Sequence, residues 1–402
     1  MQEIIKGLVQ KNNTKIFMIV LDGLGGLPLD GRTELETARI PNLDTLAKTS
    51  ATGLHTPVAY GITPGSGPGH LGIFGYDPFK WRIGRGVLEA LGLGVELKST
   101  DVAVRCNYAT IQEGLIKDRR AGRIPTEKAK KLTEKLQKEI KQIDEAEIIF
   151  TQGVDYRFAV VFRFPEPLEE GSAEVNDTDP QKAGKTPLRP VPANHQSDRV
   201  ARIAEKLVER VREILKDEEV ANYILLRGIA QVPSIPTFEE VFGLKSLAIA
   251  VYPMYRGLAR LIGMETPPVN GDIKEEIEFM KENLEDYDFF FVHVKKVDSY
   301  GEDGDFEGKA GKFEEFDSFL PGILELKPDV LIITGDHSTP SVMKSHSWHP
   351  VPVILNSPYV FGGLSQAFTE RECLRGELGI FPAIQILPLA LANSGRLKKF
   401  GA

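Results

Sequence analysis

Three of the seven histidines in the chain lie within 13 residues of one another, next to an aspartate. His337 directly follows Asp336, His346 comes nine residues later, and His349 three residues after that. Carboxylate oxygens and imidazole nitrogens are ligands of Mn²⁺, Zn²⁺ and iron. The segment therefore predicts a metal site, with a histidine-rich surface loop as the alternative interpretation.

Three carboxylates follow apolar runs that predict buried strands. Asp336 follows the run VLII, Asp22 ends the run KIFMIVL, and Asp298 lies four residues after the run FFFVHV. β-branched and aromatic residues in continuous apolar runs are typical of strands buried on both faces. Because the carboxyl ends of parallel strands meet at one edge of an α/β sheet, we expect these side chains to converge there.

A glycine-rich segment, GITPGSGPGHLGIFGYDP at 61–78, contains one serine and one histidine. Glycine lets a backbone come close to a ligand, so Ser66 is a candidate nucleophile in an open loop. His70 would orient Ser66 or support it from behind, whereas a plain turn serine is the alternative. Crowded carboxylates repel one another, and two divalent ions would balance them and activate a serine hydroxyl. The residues thus predict a two-metal phosphoryl-transfer site.

The region 81–238 has a different texture, with short strands and amphipathic helices predicted over 126–143 and 198–216. It contains few metal-binding residue types but several arginines. They are Arg105, Arg119, Arg120, Arg123, Arg157 and Arg227. Guanidinium groups bind carboxylate and phosphate, so the group predicts a clamp for a doubly acidic ligand, with ordinary surface arginines as the alternative.

Composition limits the class of protein. A chain of 402 residues predicts two domains, and 42% hydrophobic with 26% charged residues is typical of a soluble protein. The net charge of −8 argues against nucleic-acid binding. The sequence contains no apolar run of membrane-spanning length, and its first residues, which lack an apolar segment, predict no secretory signal. Its two cysteines, Cys106 and Cys373, predict no disulfide framework. We expect a cytoplasmic protein without membrane partners.

The chain resembles the cofactor-independent phosphoglycerate mutases of the alkaline phosphatase superfamily, and most closely their shorter, archaeal-type branch. The resembling segments span nearly the whole chain. They are FMIVLDGLGGLP, PNLDTLAK, ITPGSGPGHLGIFGYDP, GRGVLEALGLGV, DVAVRCNYAT, KDRRAGRI, DTDP, ILLRG, RGLARLIGM, HVKKVDSYGEDG and TGDHSTPSVMKSHSWHPVPVIL.

The resemblance implies an α/β protein with an alkaline-phosphatase-like core, a mostly parallel sheet and an inserted α+β cap domain. Residues 1–80 and 240–402 would form the metal-binding core, and residues 81–239 the substrate-binding cap. Two divalent metal ions are implied, Mn²⁺ first, with Mg²⁺, Co²⁺ or Zn²⁺ as alternatives. The ligands of one ion would be Asp22, Ser66, Asp336 and His337. Those of the other would be Asp298, Glu302 and His346.

The implied reaction is the interconversion of 3- and 2-phosphoglycerate in glycolysis or gluconeogenesis. Ser66 would take the phosphoryl group from one hydroxyl and return it to the other. Asp118 is an acid/base candidate, and Arg256 keeps a cation where the family usually has lysine. The expected substrate-binding residues are Arg105, Asn107, Arg119, Arg157, Arg227 and His70. The expected binding partner is the substrate, phosphoglycerate. The resemblance does not decide whether the chain forms a homo-oligomer.

Two positions depart from the family pattern. The D-x-x-G-H motif of the second metal has Glu302 in place of histidine, which predicts a retained site that favours harder metals. The segment after Ser66 lacks the Asp-Thr of the archaeal branch. Three alternatives therefore stay open: a metal-dependent phosphatase, a small-molecule kinase-like paralogue, and a non-catalytic metal-binding relative.

Overall fold

The computed structural model describes residues 2–269 and 272–401 of the chain. The chain divides into two compact units. The core unit combines Met1–Arg82 with Ile235–Ala402, and the inserted unit is Ile83–Ser234. The sequence predicts breaks after residue 80 and before residue 240. None of the helices in the described ranges is long and apolar enough to cross a membrane.

The N-terminal segment of the core unit alternates helices and strands. Its elements are α1 (Gln2–Leu8), β1 (Ile16–Leu21), α2 (Glu34–Thr37), α3 (Pro41–Lys48), β2 (Ala51–Thr56) and α4 (Ser66–Ile73). Every residue of β1 is buried, as its apolar sequence predicts. The prediction of an open loop around Ser66 is wrong, because Ser66 is the first residue of α4.

The inserted unit is built on an antiparallel sheet. Its elements are α5 (Arg85–Gly92), β3 (Asp101–Gln112), β4 (Leu115–Asp118), α6 (Thr126–Glu139), β5 (Gln142–Ile143), β6 (Ala146–Gln152), β7 (Arg157–Arg163), α7 (Asp198–Leu215) and β8 (Tyr223–Gln231), with 3₁₀ turns at Ala121–Arg123 and His195–Ser197. The strand order is β4-β3-β7-β6-β5, and β8 also pairs with β3. Apolar residues of α6 and α7 share one hydrophobic cluster with the sheet, so this unit is α+β.

The C-terminal segment completes the core unit. Its elements are α8 (Phe238–Phe242), β9 (Ser246–Ala250), α9 (Pro253–Leu261), α10 (Ile273–Glu282), β10 (Phe289–Val294), α11 (Lys296–Asp303), α12 (Phe306–Glu325), β11 (Val330–Thr334), β12 (Val351–Asn356), α13 (Glu370–Leu374), β13 (Gly379–Pro382) and α14 (Ile386–Asn393), with a 3₁₀ turn at Ala383–Gln385.

The sheet of the core unit has the strand order β13-β2-β12-β11-β1-β10-β9 within the described residues. Strand β1 is central, with parallel neighbours β10 and β11 on its two sides. Strand β12 runs antiparallel to both β11 and β2, and β13 is parallel to β2. The predicted α/β class with a mostly parallel sheet is confirmed. Because β10, β1 and β11 are adjacent and parallel, residues just beyond their carboxyl ends lie side by side.

Two predicted helices have different bounds in the structure. Helix α6 ends at Glu139, so Ile140 and Ile143 lie outside it, although both are buried. Their spacing correctly indicates that both residues pack in the core, but they are not part of the helix. The apolar sequence of residues 381–392 also predicts a buried helix, but the helix begins only at Ile386, because Phe381 and Pro382 end strand β13. A proline disfavours helical backbone at the residue before it.

Candidate metal centre and nucleophile

The carboxylates that follow the adjacent parallel strands β11, β1 and β10 meet in the core unit. Asp22 directly follows β1, Asp336 lies two residues beyond β11, and Asp298 lies in the first turn of α11 after β10. The side chains of all three residues are buried. The position of Asp298 four residues after an apolar strand predicts a metal-binding loop, and the structure instead places Asp298 on a helix. Gly23 permits the close approach, because its backbone φ is +70° and a Cβ there would lie 3.0 Å from the Asp298 Cα.

The first group of metal-binding atoms joins Asp22, Asp336 and His337, all within 4.8 Å of one another. The His337 Nε2 lies 3.4 Å from the Asp22 Oδ1 and 3.2 Å from the Asp336 Oδ2. Within the described residues these three buried atoms have no hydrogen-bond partner. Buried polar atoms without partners are costly. Two carboxylate oxygens and an imidazole nitrogen aimed at one another fit a divalent cation.

The second group joins Asp298, His337 and His346, again within 4.8 Å. The His346 Nε2 lies 3.5 Å from the Asp298 Oδ1 and 3.8 Å from the Glu302 Oε1. The rings of His337 and His346 stack with their centroids 3.6 Å apart. The Glu302 side chain is about half exposed and stands at the edge of this group. The structure therefore brings the predicted ligands together, with Glu302 the outermost.

Burial sets the charge state of these groups. Burial raises the pKa of Asp22 well above that of an ordinary carboxyl, and the charge of Asp336 raises it further. Burial also acts upward on Asp336, but the rings of His337 and His70 hold the pKa of Asp336 well below the usual value. Burial lowers the pKa of His337 to about 4, so its ring is neutral at pH 7. A neutral imidazole is the form that binds metals.

Ser66 is at the N-terminus of α4, which follows Gly65 without a side-chain cap. Backbone N–H groups at such a position favour an anion such as a phosphoryl group. The Ser66 side chain lies beside the Tyr255 hydroxyl. That hydroxyl in turn donates to the Asp22 Oδ2 at 2.6 Å. Tyr255 thus connects the candidate nucleophile to the first metal-binding group.

His70 is fully buried, which differs from the expected contact with substrate. Its Nδ1 lies 2.8 Å from the Ser66 carbonyl oxygen and 3.1 Å from the Asp336 Oδ2. Helix α4 packs closely here, since a Cβ on Gly69 would lie 2.4 Å from the Asp336 carbonyl oxygen. His70 therefore supports the nucleophile and a metal-binding carboxylate from behind.

Three residues beside Asp22 were missed from the sequence. They are Tyr255, His293 and Lys295. The Lys295 Nζ lies 3.0 Å from the Asp22 Oδ2. The His293 Nε2 lies 3.5 Å from the same oxygen, and its buried ring stacks on Tyr255. Two of them could have been recognised from the sequence, because His293 lies inside the apolar run FFFVHV and Lys295 directly follows it. The predicted residue Arg256 is half-buried in α9 next to Tyr255.

Four predicted substrate-binding residues share one face of the inserted unit's sheet. Arg105 and Asn107 are two residues apart on β3, so both side chains point the same way. Arg105 pairs in register with Arg227 of β8, and Asn107 with Arg157 of β7. The Arg105 Nε, Asn107 Oδ1 and Arg227 Nε are buried without a hydrogen-bond partner in the described part of the chain. Carboxylates of Glu89 and Asp177 lie 3.5 and 3.6 Å from the two Nε atoms, at ion-pair distance. Grouped guanidinium donors of this kind fit an anion. Arg85, which was not predicted, adds its charge to this cluster.

Arg119 and Asp118 are already engaged within the inserted unit. Arg119 donates two hydrogen bonds to the Asp179 carboxylate, at 2.8 and 2.7 Å. Although burial acts upward on Asp179, these bonds lower its pKa. The Asp118 carboxylate accepts from the backbone N–H groups of Arg120 and Gly122. The roles predicted for Asp118 and Arg119 in chemistry and binding stay predictions.

Known proteins with similar sequences share one family name. The family model for 2,3-bisphosphoglycerate-independent phosphoglycerate mutase matches residues 47–221. A relative from Aquifex aeolicus that carries this family name is 60% identical over 406 residues, covering all of both chains. One from Thermus thermophilus is 52% identical and covers 99% of each chain.

Solved structures show the same fold. A Pyrococcus horikoshii protein has a TM-score of 0.83 and 30% identity, covering 98% of this chain and 100% of its own. The cofactor-independent phosphoglycerate mutase of Thermoplasma acidophilum has a TM-score of 0.74 and 28% identity, covering 95% and 100%. The resemblance inferred from the sequence is confirmed. The chain belongs to the family of 2,3-bisphosphoglycerate-independent phosphoglycerate mutases.

Proposed function

We propose that this chain interconverts 3-phosphoglycerate and 2-phosphoglycerate without 2,3-bisphosphoglycerate, through a phosphoserine at Ser66. The observation that carries the proposal is the position of Ser66 beside the Tyr255 hydroxyl, which donates a hydrogen bond to Asp22. Asp22 belongs to a group of buried ligand atoms that have no partner within the described residues. A serine beside such a group is suited to phosphoryl transfer, and the family name specifies the substrate.

Two divalent ions are part of the proposal. Asp22, Ser66, Asp336 and His337 would hold one ion. Asp298, Glu302 and His346 would hold the other. Carboxylate-rich ligands favour Mn²⁺, with Mg²⁺, Co²⁺ and Zn²⁺ as alternatives. When bound, such ions neutralise the crowded carboxylates and lower the pKa of a nearby hydroxyl.

The chain's own residues define the proposed transfer. The Ser66 Oγ bonds to phosphorus as the bond from phosphorus to the substrate's hydroxyl oxygen breaks, and the serine proton ends on that oxygen. The glycerate then turns, and its other hydroxyl oxygen bonds to phosphorus as the bond to Oγ breaks and Ser66 regains a proton. The N-terminal N–H groups of α4 stabilise the phosphoserine charge, and Arg256 supplies a cation beside it.

The inserted unit is proposed as the substrate-binding cap. Its arginine-rich sheet face would bind the carboxylate of the glycerate, with Asp118 as the acid/base candidate. Members of this face are Arg105, Asn107, Arg157 and Arg227, and Arg119 is proposed beside them. Exclusion of water during the transfer is what distinguishes a mutase from a phosphatase. A cytoplasmic location and a homo-oligomer stay predictions.

The test is a coupled assay that converts 3- to 2-phosphoglycerate with added Mn²⁺ and no 2,3-bisphosphoglycerate. The assay compares the wild type with Ser66→Ala and with Ser318→Ala, a control at an exposed serine of α12. We expect metal-dependent turnover that disappears only in Ser66→Ala. Phosphate release is measured in the same samples.

Turnover that survives in Ser66→Ala would refute the phosphoserine mechanism. Phosphate release without isomerisation would instead identify a phosphatase. If the protein neither isomerises phosphoglycerate nor releases phosphate from it with any of the four metals, the result would point to a paralogue with another substrate. A metal content below one ion per chain would favour a non-catalytic relative.

A further inference from the structure

Lys295 connects the two metal-binding groups of the core unit. It directly follows strand β10 and precedes helix α11. Its ammonium nitrogen lies 3.0 Å from the Asp22 Oδ2 and also hydrogen-bonds to the Asp298 Oδ2. Asp22 belongs to the first group of ligand atoms and Asp298 to the second. A single cation therefore contacts one carboxylate of each group.

Each of these carboxylates uses its two oxygens differently. The Asp22 Oδ1 faces the His337 Nε2 at 3.4 Å, and the Asp298 Oδ1 faces the His346 Nε2 at 3.5 Å. The Oδ2 atoms of the same two carboxylates contact Lys295. Lys295 therefore leaves the oxygens that face the imidazoles available to a metal. Its ammonium stands beside the ligand atoms and does not replace them.

The position of Lys295 also places it near the nucleophile. The oxygen of Asp22 that contacts Lys295 is the oxygen that accepts the Tyr255 hydroxyl at 2.6 Å. The same hydroxyl lies beside the Ser66 side chain. The Lys295 side chain is 26% exposed, whereas those of Asp22 and Asp298 are 0% and 3% exposed. The ammonium is thus more accessible to solvent than the carboxylates that hold it.

An ammonium group has three N–H donors. Within the described residues, two of them serve Asp22 and Asp298. One donor is left for a ligand. The transferring phosphoryl group would bring further negative charge beside three carboxylates, and a positioned cation is a large source of stabilisation for such charge.

We propose that Lys295 is a catalytic residue that donates a hydrogen bond to a non-bridging oxygen of the phosphoryl group while that group is on Ser66. This inference rests on the proposed function for the identity of the substrate. The contact with a phosphoryl oxygen is testable without turnover. Lys295 forms no covalent bond and keeps its proton throughout.

The experiment uses the holoenzyme with Mn²⁺ and orthovanadate, an oxyanion that mimics the transferring phosphoryl group. It compares the wild type with Lys295→Met and Lys295→Arg. Lys296→Met is the matched control, because Lys296 is the next residue and is exposed. Vanadate affinity is measured by titration calorimetry, Mn²⁺ content by elemental analysis, and kcat and KM by the mutase assay.

We expect Lys295→Met to weaken vanadate binding at least about tenfold and to lower kcat by roughly 100-fold, as for the loss of one charge-stabilising donor. Its Mn²⁺ content and KM should stay near those of the wild type. Lys295→Arg should recover part of both losses, because the charge is restored. Lys296→Met should behave as the wild type.

Unchanged vanadate affinity in Lys295→Met would overturn the proposal. A lower Mn²⁺ content in that variant would also overturn it, since Lys295 would then act by positioning the ligands. If Lys295→Met does not fold, Lys295→Gln carries the same comparison. If the wild type binds vanadate through Lys295 but does not isomerise phosphoglycerate, the proposed function is refuted. The proposed contact between Lys295 and a phosphoryl oxygen is then still supported.

Discussion

Replacement of Tyr255 by phenylalanine is predicted to weaken metal binding without changing a metal ligand. The Tyr255 hydroxyl is buried and donates to the Asp22 Oδ2 at 2.6 Å. Burial already raises the pKa of Asp22, and the hydrogen bond from Tyr255 opposes that rise. Loss of the hydroxyl raises the pKa of Asp22 further. The carboxylate, which must be ionised to bind a metal, then becomes harder to ionise.

The magnitude follows from the kind of hydrogen bond that is lost. A hydrogen bond to a charged group contributes about 1.5–3 kcal/mol. At about 1.4 kcal/mol per tenfold change, the dissociation constant of the metal should rise roughly 10- to 100-fold. Loss of a residue that orients a ligand typically has an effect of roughly this size. The aromatic ring stays in place, so its stacking on His293 is retained.

The assay is calorimetric titration of the metal-free protein with Mn²⁺ at pH 7. Tyr252→Phe is the matched control, because its exposed ring lies 5.6 Å from that of Tyr255 and undergoes the same chemical change. We expect wild-type affinity in Tyr252→Phe and weakened binding only in Tyr255→Phe. The loss should increase as the pH falls, because protons compete for Asp22. Equal affinities in all three proteins would refute the role given to Tyr255.

Two predictions concern the stability of the core unit. Burial lowers the pKa of His55 to about 4, so its contribution to the free energy of unfolding is complete above pH 6.5. That contribution is lost as the pH falls towards 4, by about 3 kcal/mol in total. In urea unfolding, the free energy of His55→Gln should change less between pH 6.5 and 4 than that of the wild type. An equal change in both proteins would contradict the role given to the lowered pKa of His55. Gly69→Ala should cost about 1–3 kcal/mol, because the added Cβ would lie 2.4 Å from the Asp336 carbonyl oxygen. Gly7→Ala, where a Cβ meets nothing within 4 Å, should cost nothing in the same unfolding experiment.

The convergence of the carboxylates could be predicted because it depends only on local sequence and sheet direction. Asp22 directly follows its apolar run and Asp336 lies two residues beyond β11, and the parallel pairing of β1 with β10 and β11 brings the ends of these strands together. Helix α4 could not be predicted, because glycine disfavours helices. Its close packing against Asp336, which glycine alone permits, compensates for that preference.

Residues whose role depends on a tertiary contact could not be recognised from the sequence. Tyr255 occupies a buried position on an amphipathic helix and has the spacing of an ordinary core residue. Lys295 is one of two adjacent lysines, and sequence does not distinguish the one that reaches Asp22 from its exposed neighbour. Glu302 was recognised only because it differs from a family motif.

The place of β1 in the middle of its sheet determines when the protein can fold during synthesis. Ile16 pairs with Phe289 on one side and with Val330 on the other. At about 5–20 residues per second, a ribosome takes roughly 15–60 s to deliver these partners after β1 has been made. The inserted unit, Ile83–Ser234, is contiguous and has its own hydrophobic cluster, so it can fold in that interval. The nascent chain therefore carries an unpaired apolar strand beside a folded segment, a state prone to aggregation until translation is nearly complete.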